Sequence, residues 1–379
     1  MDGRWSAERA WAWYRGRPRP LGCNFVPSTA GNQLELWGAR DLGRDTIARD
    51  SIARDTIARD TLARELDWAA GLGMNALRVF LHDRAYDADP DSFLKRLDEF
   101  LGMAAARGLA VMPALFDDCW HEPGSLGPKP EPRPGAHNSI WLRSPGLAAA
   151  RDRGRWPRLE AYVKATVGAF ARDGRVLAWD VYNEVGNFFL PALSLRPPLR
   201  QALLLAKGLA FYLRPSPTLP LLRAAFSWCR AMQPEQPLTS PLYFNHRALN
   251  RELIELSDIV SFHNYRPADE LRAQSHALAA HGRPLLCTEY LARTTGSAFE
   301  SCLPIFEDLD IGCFNWGLVA GRTQTIYTWD DRPPRPGQAP REPALWYHDI
   351  LRPDGSPFDP AEARLLRDAA TRLARAPEA

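Results

Sequence analysis

Short apolar runs alternate with amphipathic segments along almost the whole of this 379-residue chain, and that rhythm limits the fold more than any other feature. The runs are Leu21 to Val26, Asn75 to His82, Leu109 to Phe116, Val176 to Glu184, Leu238 to Phe244, Asp258 to Tyr265, Pro284 to Tyr290 and Ile311 to Trp316. Each is too short and too rich in β-branched or aromatic residues for a helix, so each reads as a strand. Helical patterns fill the intervals at Thr61 to Leu72, Ser92 to Arg107, Arg158 to Arg172, Leu219 to Met232, Ala268 to His281 and Ser297 to Leu309. Eight such units close into a single α/β domain, a (β/α)8 TIM barrel over 21–350. Residues 1–20 then form an N-terminal extension, and 351–379 a C-terminal segment that packs on the barrel. A doubly wound open sheet is the alternative. It calls for a Gly-rich loop after strand one, where this chain has Cys23-Asn24-Phe25-Val26-Pro27.

Three segments exceed the minimal repeat. Residues 46–65 are a tandem pentapeptide, Thr46-Ile-Ala-Arg-Asp and its three successors, whose apolar positions step about 140° net around a helix and so spiral off any single face. The expectation is an elongated, partly solvated first helix. Glu122 to Pro134 is a Pro- and Gly-rich loop on the side where barrel loops shape a cleft. Phe188 to Pro220 is an extra helical excursion after strand four, and its run from Ala202 to Leu213 is apolar. That run is too short to span a bilayer, which leaves packing, a cleft wall or homodimer contact, or a membrane surface.

Composition narrows the function classes. A net charge of +2, with 24% charged and 45% hydrophobic residues, suits a soluble domain and gives no basis for a nucleic-acid partner. Charges interrupt the N-terminus where a signal peptide needs an apolar core, and no transmembrane run occurs, so the expected compartment is the cytoplasm. Six cysteines lack the paired spacing of a zinc site and read as reduced, buried residues.

Chemistry concentrates at strand exits. Glu184 ends Trp179-Asp180-Val181-Tyr182-Asn183-Glu184, and Glu289 ends Leu285-Leu286-Cys287-Thr288-Glu289. Barrel active sites lie at the C-terminal ends of the strands, and strands four and seven face each other across the mouth. Two carboxylates so placed fit glycoside hydrolysis, in which one protonates the leaving oxygen and the other attacks the sugar carbon. Arg78 lies in an apolar strand and needs a buried partner. Alternation puts His82 on its face and groups Ser261, His263 and Tyr265 on strand six.

The run ending in Asn183-Glu184 resembles the strand-four signature of glycoside hydrolase clan A, family 5 in particular, and the similarity extends over about Leu21 to His348. The resemblance implies Glu184 as acid/base, Glu289 as nucleophile, Asn183 as donor to a sugar 2-hydroxyl and Arg78 as the cation beside the nucleophile. Either His263 or Tyr265 orients that nucleophile, and Trp316 on strand eight stacks on a sugar ring. Trp37, Trp120 and Trp141 extend that platform. Asn32, Gln33, Glu35, Asp117, Asp118, His137, Asn138 and Gln324 add hydroxyl-binding capacity. Val185-Gly186 departs from the pattern, in which Pro commonly follows Asn-Glu.

The expected activity is retaining cleavage of a β-linked glycan or oligosaccharide, with xylan, mannan and glucan all open and no metal or organic cofactor required. A transglycosidase would use the same residues, and a non-catalytic carbohydrate-binding barrel is the reading from a different class. The sequence leaves the sugar, the linkage and endo or exo action open.

Overall fold

The computed structural model describes residues 3–38, 49–123, 130–187, 202–203, 205–206, 216–331, 334 and 338–374, with backbone only at 49–58 and 374. Eight parallel strands form one sheet in the order β5-β4-β3-β2-β1-β8-β7-β6. They are β1 Leu21–Asn24, β2 Ala76–Phe80, β3 Ala110–Ala114, β4 Trp179–Asp180, β5 Leu238–Thr239, β6 Val260–His263, β7 Leu285–Tyr290 and β8 Gly312–Trp316. The ring closes between β5 and β6, where Leu242 N donates to Ser261 O and His263 N donates to Leu242 O. The (β/α)8 barrel is therefore the fold.

Each strand is shorter than its apolar run, β4 and β5 the most so at two residues each. β5 stops at Thr239 because Pro241 offers no ladder N–H. Past β4 the chain still bonds to both neighbours, through Val181 N to Thr239 O and Asn183 N to Phe116 O, and then turns at Glu184.

Alternation sorts each strand between two cores. Leu77 and Val79 of β2, Phe262 of β6 and Tyr290 of β7 face outward onto the helices, in the main apolar cluster. Ala76, Met112, Ala178, Ile259, Leu286 and Phe314 face inward at the N-terminal end of the barrel. There they meet Trp5, Ala10, Trp13 and Tyr14 of the segment carrying the helix Ala7–Arg15, which plugs that end. The helix is capped by Ser6, whose hydroxyl accepts from Arg9 N.

β7 breaks parity in a way that matters for the site. Leu286 faces the plug, so strict alternation would turn residue 289 outward. The register shifts between Cys287 and Tyr290, and Glu289 pairs with His263, so the glutamate points into the barrel instead.

The first barrel helix runs Arg49–Gly71, which carries the helix back into the pentapeptide repeat, and the remainder of the repeat lies outside the described residues. So do most of the 188–220 excursion offered as a homodimer contact, including most of its apolar run, and the centre of the Glu122 to Pro134 loop. A last helix, Pro360–Ala374, packs on the barrel through Leu366 and Ala369 and through the Arg293–Glu362 ion pair at 2.6 Å. Among the described residues no helix is long and apolar enough to cross a membrane.

Candidate active site

Arg78 is the centre of the C-terminal half of the barrel. It is fully buried, and all five guanidinium N–H donors have acceptors. Nε and Nη2 reach Asp180 Oδ2 at 3.0 and 2.5 Å, Nη1 reaches Asn24 Oδ1 at 2.7 Å and Glu289 Oε1 at 2.8 Å, and Nη2 also reaches Asn183 Oδ1 at 2.7 Å. One cation thus fixes residues from β1, β4 and β7 together with the β4 exit.

The two glutamates share this cavity in unequal company. Glu289 is held on both oxygens, Oε1 by Arg78 and Oε2 by the Tyr265 hydroxyl at 2.7 Å. Burial pushes its pKa up, against the opposing pull of the Arg78 charge and the Tyr265 hydroxyl. Glu184 is also raised by burial, and among the described residues it has no cation in direct contact. Its Oε2 accepts from Cys119 Sγ at 3.0 Å and from Asn187 Nδ2, while its Oε1 lies 2.8 Å from His263 Nδ1. Burial pushes the His263 imidazole down to about 3, so the ring between the two carboxylates is neutral.

One oxygen of each glutamate and the His263 nitrogen lie within 4.8 Å of one another, close enough to hold a cation. Arg78 already supplies the positive charge at Glu289, and a neutral imidazole between two acids suits a shared proton better than a second cation.

Glu184 has a left-handed backbone, with φ 47°, unusual for a residue with a side chain. The turn is held by Asn187 N donating to Glu184 O at 2.9 Å and by Gly186 N donating to Asp118 Oδ2 at 2.6 Å. Gly186 is itself left-handed, with φ 86°. Pro could not take the place of Gly186, but the position directly after Asn-Glu is Val185, which is not left-handed, so the turn does not account for Val where the pattern has Pro.

Above the carboxylates opens a cleft of about 1130 Å³. Trp316 forms its floor, packed edgewise on Phe80 and Trp141 at 5.6 and 5.8 Å between ring centres. Trp120, His137 and Asn138 line it as well, and Asn138 Oδ1 is a buried acceptor with no partner among the described residues. Asn183 lines the same cavity, its Nδ2 donating to Asp117 Oδ1 at 2.9 Å.

Other candidates lie elsewhere. His82 leaves the strand and caps the helix Asp83–Ala88, where its Nδ1 accepts from Arg84 N, so the alternation that put it beside Arg78 ends at Phe80. Trp37 is buried in the outer core against Phe93 and Phe100, its indole N–H donating to Phe80 O, and it stacks on no sugar. Asn32 caps the short helix Gln33–Leu36 by accepting from Glu35 N. Gln33 donates to Leu142 O, and Glu35 pairs with Arg322. Gln324 ties Gly135 N and Arg133 O outside the cleft. Asp117 is buried beneath the floor, accepting from Asn183, Trp141 and Cys119 N, and Asp118 accepts from Tyr182, Gly186 N and Thr218. These are supports, because their oxygens are already filled by protein donors.

Sequence reasoning missed Asp180, Asn24, Cys119, Asn187, Trp329 and His348. Asp180 carried a signal: a carboxylate in an apolar strand needs a buried cation, just as Arg78 needed an anion. Trp329 and His348 come from the long segment after β8 and carried none.

The fold and this mouth define the class: a (β/α)8 barrel with two buried glutamates at the C-terminal ends of its strands. No protein-family model and no curated protein matches the sequence. Solved structures do match, and the barrel resembles those of glycoside hydrolase family 5, in clan A. A GH5_18 structure from Streptomyces cattleya in complex with GlcNAc aligns with TM-score 0.58 and 15% identity, over 95% of this chain and 82% of that one. The exo-β-1,4-mannosidase Op5Man5 from Opitutaceae bacterium strain TAV5 aligns at 0.56 and 17%, over 94% of this chain and 60% of that one. The endo-β-1,4-mannanase from Thermotoga petrophila gives 0.53 and 13%, over 95% and 78%. At these identities the likeness establishes the fold alone.

Proposed function

We propose that this chain is a glycosidase that cleaves β-linked glycans or oligosaccharides by double displacement, with Glu289 as nucleophile and Glu184 as acid/base. The observation that carries the reading is the unequal dressing of two close carboxylates. Glu289 has the cation and the phenol that favour an ionised nucleophile, whereas Glu184 is buried with no cation in contact among the described residues, as suits a group that must hold a proton. Their separation, one oxygen of each within 4.8 Å, supports the retaining geometry, in which the carboxyl groups stand about 5 to 5.5 Å apart and leave no room for a water between.

In the first step a Glu289 oxygen attacks the anomeric carbon, the glycosidic C–O bond breaks, and the Glu184 proton goes to the departing oxygen. In the second, Glu184 takes a proton from water as that water's oxygen displaces Glu289. Neither step calls on a metal or an organic cofactor. Trp316 offers the apolar face of one sugar ring a partner, and Asn138 Oδ1 offers an acceptor to a hydroxyl.

β-1,4-Mannosides are the first substrates to try, since two of the similar structures are a mannosidase and a mannanase. The test is a panel of aryl β-glycosides and β-1,4-oligosaccharides with wild type and Glu184→Ala. Expected is turnover by wild type with retained anomeric configuration, and a variant that loses about 10²- to 10⁴-fold on poor leaving groups. An inverted product, or a Glu184→Ala variant as active as wild type, contradicts the reading.

A further inference from the structure

The proton in the first step must sit on one of two oxygens of Glu184, and their surroundings differ. Oε2 accepts two donors, the Cys119 thiol at 3.0 Å and the Asn187 amide. The thiol is buried, stays protonated because burial raises its pKa, and lies 3.5 Å from Asn183 Nδ2 and 3.8 Å from Asn187 Nδ2. A thiol held in this state is a poor nucleophile and serves as a hydrogen-bond donor. Among the described residues Oε1 faces only His263 Nδ1 as a bonded partner, and His263 Nε2, in a ring 4% exposed on the cleft wall, has none.

We infer that Cys119 and Asn187 are positioning residues that reserve Oε2 of Glu184 as an acceptor and so confine the transferable proton to Oε1. The inference rests on the reading of Glu184 as the acid/base. A proton on Oε2 would have to displace a donor from a buried oxygen, whereas a proton on Oε1 can be shared with a neutral imidazole. When that proton passes to the departing glycosidic oxygen, the negative charge left on Glu184 is received by two donors already in place, with no reorganisation. Both donors favour the ionised form, so they make Glu184 a stronger acid than its burial alone would allow.

Titratable and charged groups face Glu184 from several elements. They are Arg78 of β2, Cys119 after β3, Tyr243 after β5, His263 and Tyr265 at β6, and Glu289 of β7. Among the described residues only Cys119 and Asn187 touch Oε2, so removing one of them changes that oxygen's partners and leaves the other groups in place.

The experiment compares Cys119→Ala, Cys119→Ser and Asn187→Ala on two aryl β-glycosides of the sugar that wild type cleaves, one with a dinitrophenyl and one with an unactivated phenyl leaving group. The dinitrophenolate departs without protonation, so it reports fold and nucleophile; the phenyl substrate reports the acid. Expected is a kcat/KM ratio, dinitrophenyl to phenyl, that rises roughly ten- to thirtyfold in Asn187→Ala and several-fold in Cys119→Ala. The basic limb of the pH profile moves to higher pH in both, because loss of a donor raises the pKa of Glu184. Cys119→Ser keeps a donor and restores ratio and limb toward wild type. If both alanine variants keep the wild-type ratio and limb, the inference is overturned while the glycosidase reading stands. If wild type turns over no β-glycoside, both fall.

Discussion

The two ends of this barrel are built from the same strands two residues apart, and they do opposite things. At the N-terminal end Ala76, Met112, Ala178, Leu286 and Phe314 meet an aromatic plug. At the next inward positions β2 and β4 carry Arg78 and Asp180, and β7 reaches Glu289 by a register shift. The plugged end gains stability from apolar burial, whereas the open end buries a cation between two carboxylates, an arrangement that repays its desolvation only while the cation and a carboxylate partner are both present. Stability and chemistry are thus separated along one strand direction, and substitutions at the two ends should separate as well.

The largest expected effect comes from the open end. Glu289→Ala should lower the rate on every substrate by roughly 10⁵-fold, with a thermal midpoint near wild type, because Arg78 keeps Asp180. A drop in stability as large as the drop in rate would make Glu289 a structural partner and erase the contrast. Arg78→Met should lose both. It leaves Asp180 and Glu289 facing each other without a cation, at a cost of about 3 to 5 kcal/mol in denaturant unfolding, together with most activity. Arg78→Lys should recover only part, since a lysine cannot serve five acceptor contacts from one fork.

The plugged end should behave in the converse way. Trp5→Ala should cost about 3 kcal/mol of unfolding free energy while kcat stays within about twofold of wild type. A tenfold loss of kcat would mean that the plug sets the geometry of the mouth.

The smallest effect concerns Glu65, whose carboxylate accepts from Ser28 N at the loop after β1. Burial raises its pKa to about 7, above the unfolded value, so the stability it contributes is full below about pH 4.5 and is lost as pH rises toward 7. Glu65→Gln keeps the acceptor without the charge. Relative to wild type it should gain on the order of 1 kcal/mol between pH 4.5 and 8, and an unchanged difference across that range would contradict the assignment.

Much of this was legible in the sequence, and the exceptions have physical causes. Eight strands, the two glutamates and Arg78 follow from periodicity and from the cost of burying charge, which are properties of the chain itself. The sequence left open whether His263 or Tyr265 serves Glu289. In the structure the Tyr265 hydroxyl takes Glu289 at 2.7 Å, while His263 stands 2.8 Å from Glu184 and 3.4 Å from Glu289. No pattern could decide that, because the shift in β7 sets which oxygen each meets. His82, Trp37 and Asn32 misled for one reason: each lies at an end of a helix, and capping or packing there claimed the polar atoms. Cys119 and Asn187 escaped notice because their meaning depends on a turn with left-handed Glu184, which residue types alone do not disclose.

The most direct measurement is covalent capture. A 2-deoxy-2-fluoro glycosyl fluoride of the sugar that wild type turns over slows release of the intermediate, and the intact protein and its peptides are then weighed. One fluorosugar on the peptide carrying Glu289, absent in Glu289→Ala, is the result predicted here. An adduct on a different residue, or undiminished turnover with no adduct, would contradict the central claim.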